Sequence, residues 1–188
     1  MTEGGEAKLE NRAFRLISLV LAVGILILLL KVLNWVPLAL DRDIIRRYES
    51  IEEVQGKLKL EKIYIPSYFP QSLKWPPSEI LAQGKPFPAV LMEFRDIEKG
   101  EPSLIITQAG SPDFDPVSTI EMREIKETVD YRLKGREAII EVGSCHRGDT
   151  CSQIYWDEGS YRVTVLLKAP PMELIKIAES MLGKQVEN

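Results

Sequence analysis

The sequence predicts an α+β protein: an N-terminal single transmembrane helix followed by an antiparallel β-sheet domain with a packing C-terminal helix. Three observations lead there. Residues 16–30 (LISLVLAVGILILLL) run without a charge. Beyond residue 88, short runs alternate apolar with polar residues and are separated by turn-forming residues, the pattern of half-buried strands. The last helical stretch carries one apolar stripe, which has to be covered by another element.

Residues 1–15 hold three acids, three bases and no apolar cluster. They read as a disordered cytoplasmic tail. Crossing ~30 Å of hydrocarbon at about 1.5 Å per residue takes about 20 apolar residues. Residues 16–40 supply that length with Lys31 as their single charge, so they are assigned as a transmembrane signal anchor in contact with membrane lipid. Trp35 suits the interfacial belt, and Pro37 stands where the helix stops or bends. A cleaved signal peptide competes, but no small-x-small site occurs before Asp41. A buried core helix also competes, yet the run has no polar stripe.

Charge bias does not orient the span. Lys8, Arg12 and Arg15 lie on one side, and Lys31, Arg42, Arg46 and Arg47 on the other. The two cysteines do orient it. Cys145 and Cys151 bracket a short hairpin loop, and such pairs persist as disulfides in oxidising compartments. The N-terminus is therefore placed inside, and residues 41–188 on the periplasmic or extracellular side of the inner membrane.

Ile44, Ile45, Tyr48, Ile51 and Val54 recur every three or four residues, so residues 41–60 read as helix. Ser50 and Glu53 form a capping-box pattern that predicts a new helix from residue 51; one continuous amphipathic stalk is the competing form. Residues 62–70 (KIYIPSYFP) read as an edge strand limited by Pro66 and Pro70. An extended connection follows through Trp75, Gly84, Pro86 and Pro88. Residues 89–95 and 103–108 predict one hairpin. Residues 128–133 and 138–142, around Lys134 and Gly135, predict a second. Residues 152–156 and 161–167 predict a third. Pro170 and Pro171 open the final helix, whose stripe is Leu174, Ile177, Ala178, Met181 and Leu182.

Composition narrows function. A net charge of −4, with 24 basic and 28 acidic residues interspersed, argues against nucleic acid, which demands a basic surface. One His and two Cys without zinc spacing argue against a structural metal. Asp113 and Asp115 offer oxygens to a hard cation, but the remaining ligand spacing is missing. No nucleophile elbow, metalloprotease helix or phosphate-cradling loop occurs, and no cofactor motif is found. Arg147, Gly148 and Asp149 spell an adhesion tripeptide, which is also ordinary turn chemistry.

Two site readings remain. Cys145 and Cys151 either staple a hairpin or form a reactive dithiol, with His146 or Arg147 stabilising a thiolate; the five-residue spacing on strands favours the staple. Tyr64, Tyr68, Phe69 and Trp75 crowd one proline-rich stretch. They form either a candidate partner surface or a strand edge packed under the sheet.

The element order from Ser50 onward resembles one of the numbered bacterial extracytoplasmic domains of unknown function, found in membrane-anchored proteins and at the outer end of some anti-sigma factors. The likeness lies in a short capped helix before IYIPSYFP, the hairpin AVLMEFRD…SLIITQAG, LKGREAIIEV, QIYWDEGSYRVTV and a terminal helix ending IAESM. It covers roughly residues 50–182, and the order of these motifs carries it. It implies an antiparallel sheet with helices against it, outside a bacterial membrane, and supplies no catalytic residue. The sigma-binding part of the anti-sigma relatives precedes their span; fifteen residues do not provide it, so sigma sequestration is not carried over.

The leading expectation is a non-catalytic binding or sensing module of the bacterial envelope, with an unknown envelope protein or ligand as partner. Alternatives are a thiol oxidoreductase using Cys145 and Cys151, and an accessory subunit of a larger membrane complex.

Overall fold

The computed structural model describes residues 19–31, 45–58, 60, 62–112, 114, 116, 118–145 and 148–182. The chain divides into two compact units, Met1–Ile44 and Ile45–Asn188.

In the first unit, residues 19–31 form helix α1, with its apolar side chains exposed. This is the described part of the expected span. Residues 1–18 and 32–44, which include the tail and both flanks of the span, lie outside the described residues. No helix among the described residues is long and apolar enough to cross a membrane.

The second unit is α+β. Its order is β1 (Arg46–Tyr48), α2 (Ile51–Leu58), β2 (Glu79–Gln83), β3 (Ala89–Arg95), β4 (Pro102–Ala109), β5 (Met122–Leu133), β6 (Arg136–Cys145), β7 (Thr150–Glu158), β8 (Tyr161–Leu167) and α3 (Pro171–Met181). The strands make one eight-stranded antiparallel sheet in the order β1-β2-β3-β4-β8-β7-β6-β5. Two four-stranded meanders thus meet along β4 and β8. After β4 the chain crosses the sheet to its far edge and works back strand by strand.

The three expected hairpins are present. Lys134 (φ 46°) and Gly135 (φ 91°) make the two-residue turn between β5 and β6, a positive-φ pair whose twist matches that of the strands. The final helix is also present, with Pro171 in its first turn and Leu174, Ile177, Ala178 and Met181 buried.

Four sequence expectations are corrected. Among the described residues of the helix expected over 41–60, Arg46–Tyr48 are strand β1 instead, whereas the new helix expected from residue 51 is present as α2. Ser50 Oγ accepts the Glu53 N–H at 3.2 Å and starts a new helix, while Arg46–Tyr48 pair with the free edge of β2. The Glu53 carboxylate returns to the N–H of Glu49 (3.0 Å), one residue outside the expected box. The extended connection contains β2: residues 78–84 lie between Pro77 and Pro86 and are free of proline, long enough to join β3. Strand β5 begins at Met122, six residues early. Its charged N-terminal half sits on an outer edge and needs no burial, and two register shifts break its alternation.

The fourth correction concerns residues 62–70, which join no ladder. Their backbone is held instead by Gln108, a buried amide on β4. Its Nε2 donates to the carbonyl of Lys62 at 2.7 Å, and its Oε1 accepts the N–H of Tyr64 at 3.0 Å. One side chain thus replaces a strand partner.

The core lies mostly on one face. Val90, Met92, Phe94, Leu104, Ile106, Ile154, Trp156, Val163 and Val165 are covered by α3, α2 and the 60–75 segment. Ser152, fully buried on β7, fixes the approach to α3 by donating to the Ala169 carbonyl at 2.7 Å. The opposite face has a smaller core of Leu91, Ile105, Ile120, Leu166 and both cysteines, under the β4–β5 connection. That connection is tied down by Glu93, which is 2% exposed. Its carboxylate accepts from the Thr119 hydroxyl and from Ser78 Oγ (3.2 Å), and lies 3.4 Å from the Arg95 guanidinium. Burying a carboxylate is costly unless donors and a cation meet its oxygens, as they do here.

Gly143 on β6 has a positional role. A Cβ there would stand 1.9 Å from the carbonyl oxygen of Glu124, because the irregular start of β5 presses on this point. The bulge and the glycine require each other.

Candidate functional site

Cys145 ends β6 and Cys151 lies near the start of β7. They are bonded, with Cα atoms 5.7 Å apart. The Cys145 N–H donates to the Asp149 carbonyl at 2.9 Å, so the hairpin tip is closed by both a hydrogen bond and a covalent link. Cys145 is 3% exposed and Cys151 fully buried, packed with Leu91, Ile105, Ile120 and Leu166. Thiol exchange needs in-line access of an attacking thiolate to a sulfur, and burial denies it. The geometry is that of a staple. His146 and Arg147, the residues considered for thiolate stabilisation, lie outside the described residues, as do Asp113 and Asp115. No group of three or more His, Cys, Asp or Glu side chains that could hold a metal occurs among the described residues.

Closing so short a loop is worth roughly 2 kcal/mol in unfolded-state entropy. Replacing both cysteines with serine is expected to lower unfolding free energy by about that amount, while circular dichroism still reports the sheet. Urea denaturation of the variant, and of the native chain with and without reductant, checks this.

The four aromatics of the proline-rich stretch do not converge. Phe69 and Trp75 pack on buried Phe94: Phe69 lies 4.8 Å from it and Trp75 stacks at 6.0 Å, with an edge contact of 5.6 Å between the two. Trp75 is nonetheless 52% exposed, so a rigid aromatic face is presented to solvent on a fixed base. Tyr68 turns toward α3, donating its hydroxyl to Glu173 Oε2 at 2.8 Å. That bond raises the Tyr68 pKa, and the Lys176 ammonium, with Tyr68, holds Glu173 below the usual carboxylate range. Tyr64 lies elsewhere, half-buried with the Lys62 ammonium 4.4 Å from its ring centre; burial pushes its phenol upward.

Trp75 and Tyr68 stand at one end of the sheet. The backbone of residues 72–74 runs beside Arg95–Ile97: Lys74 N–H donates to Arg95 O at 2.8 Å and Ile97 N–H to Ser72 O at 2.8 Å. Between this loop, the β3–β4 turn, the β6–β7 hairpin and the start of α3 lies a cleft of about 340 Å³. Ser72, Asp96, Lys99, Asp149, Lys168 and Glu173 line it. Ile97 and Met172, neighbours in sequence of two lining residues, are exposed large apolar side chains. A polar cleft beside exposed apolar residues has the geometry of a recognition surface. Sequence reading found the aromatics of this end but missed Ile97, Met172 and the lining charges. They lie on three separate segments, and only the fold brings them together.

No protein-family model, curated protein or solved structure matches this chain.

Proposed function

We propose that this chain is a single-pass, membrane-anchored binding or sensing module of the bacterial envelope, anchored through residues 16–40, with its α+β domain on the outer side. The observation that carries this reading is the buried Cys145–Cys151 bond: a cystine serving as a staple belongs in an oxidising compartment. The charge-free run of residues 16–30 supports the anchor. Recognition is assigned to the end of the sheet that carries Trp75 and the cleft through Lys168, because a half-exposed indole on a fixed aromatic base loses little side-chain entropy on binding. Burial of both sulfurs disfavours the oxidoreductase alternative.

The test is site-specific photocrosslinking in intact envelopes. A crosslinker at Trp75 or Lys168 is expected to capture the same discrete species, and one at Gly135, at the opposite end of β6, to capture none. Equal labelling from all three positions contradicts the assignment.

A further inference from the structure

In an antiparallel sheet with one face packed on the core, outward positions on the other face are ordinarily polar. Along β6 these positions are Glu137, Ile139 and Glu141, and along β7 they are Gln153, Tyr155 and Asp157. Two break the rule. Ile139 and Tyr155 stand opposite each other in the register, half-buried in the middle of a charged face. They line a depression of about 560 Å³ that extends to Asp130 and Arg132 on β5 and to Arg162 on β8. It lies on the face away from α3, because Ala138, Ile140, Ile154 and Trp156 alternate with these residues and pack in the main core. Along β7 and β8 it reaches Asp157 and Arg162, whereas the cleft through Lys168 reaches Thr150 and Leu167, the other ends of the same strands.

The charges in this depression already answer one another. Arg162 donates to both oxygens of Asp157, at 2.9 and 3.2 Å, and its guanidinium lies 5.5 Å from the Tyr155 ring centre. Arg132 stands opposite Glu137 on the neighbouring strand. A charged ligand would have to break such pairs, whereas hydroxyl groups can bond to both members of a pair that stays intact. A peptide fits poorly for another reason. Its backbone N–H and C=O groups need a strand edge, and β6 and β7 are paired on both sides. A wholly apolar ligand would strip water from the carboxylates and guanidiniums without replacing it.

A neutral ligand with an apolar face and a hydroxyl-rich rim meets all three conditions, and a pyranose ring has that form. Its C–H face can lie on Tyr155 and Ile139 while its hydroxyls meet the surrounding charged groups. Burial, with Glu141 and Asp130 nearby, holds the Tyr155 phenol above its ordinary value, so it remains a neutral donor.

We propose that this depression binds a neutral glycan, with one sugar ring on Tyr155 and Ile139 and its hydroxyls bonded by Asp130, Arg132 and the Asp157–Arg162 pair. Strands hold these groups in place, so little side-chain freedom is lost on binding. The volume lies within the range of roughly 300–1,000 Å³ that small-molecule sites occupy. This site is separate from the recognition end proposed above and does not depend on it.

NMR titration of the full-length chain, in a detergent without a sugar headgroup, tests this with the neutral tetrasaccharides cellotetraose and N-acetylchitotetraose. At least one is expected to bind with a Kd of about 1 mM or tighter, shifting the Ile139 and Tyr155 amides. Tyr155→Ala should weaken binding about tenfold, and Tyr155→Phe by no more than about threefold, because the ring carries the contact. Asp130→Ala and Arg132→Ala should each weaken it about fivefold; both residues are exposed, so neither change threatens folding. Tetragalacturonate, of similar size but charged, should bind at least about tenfold more weakly than the better neutral sugar. No shift with either neutral sugar at about 10 mM overturns the proposal. So do shifts centred on Lys168, which place the sugar in the cleft, undiminished binding by both Tyr155→Ala and the two β5 variants, or tighter binding of tetragalacturonate.

Discussion

Gln108→Leu is expected to destabilise the domain by about 3 kcal/mol, although it exchanges a buried amide for an apolar side chain of similar volume on an apolar face. The amide satisfies two backbone groups, the Lys62 carbonyl and the Tyr64 N–H. Leucine leaves both without a partner beneath the 60–75 segment, and each stranded buried polar group costs about 1–3 kcal/mol. The gain from removing the amide itself offsets part of this. The effect should also be local. Hydrogen exchange is expected to show the Tyr64 amide losing protection while the β3–β4 ladder keeps its own. A variant as stable as the native protein, with Tyr64 still protected, would mean that the segment is held by packing alone.

Gly143→Ala is expected to cost a similar amount, about 3 kcal/mol, for a different reason. The new Cβ would fall 1.9 Å from the Glu124 carbonyl oxygen, a backbone atom that no rotamer change can move aside. Relief requires the start of β5 to lift from β6, breaking part of the ladder beside the cystine. Gly135→Ala makes the control. That position has open space around it, but its φ of +91° strains any other residue, so its cost is conformational and about 1 kcal/mol. Urea denaturation orders the two. If alanine at 143 proves the milder change, the close approach of β5 to β6 is wrong as described.

The parts of this fold that could be read from sequence are those whose evidence is local. Alternation in SLIITQ and YRVTVLL, the glycine turns at Gly135 and Gly159, and the Pro170–Pro171 helix start each specify their own geometry within a few residues. The Ser50 cap belongs with them. What escaped depends on remote partners. Arg46–Tyr48 became a strand because the edge of β2, more than thirty residues away, was free to pair. KIYIPSYFP had the composition of a strand, but Gln108 took the place where a ladder would form. The crossover after β4 leaves no local mark at all. At the candidate site the division is the same. The cysteine spacing announced a hairpin staple, whereas the parting of Tyr64 and Tyr68 from Phe69 and Trp75 depends on Phe94, Glu173 and Lys62, residues whose sequence context carries no hint of that role.

Everything proposed about function rests on the proposed placement of the sheet outside a membrane that residues 16–40 would anchor it to. A phosphatase reporter that folds only outside the cytosol, fused after Asn188 in the full-length chain, measures this most directly. We predict activity, retained when the anchor is intact and lost from the membrane fraction when residues 16–40 are removed. An inactive phosphatase, with a cytosol-only reporter active at the same junction, would contradict the account.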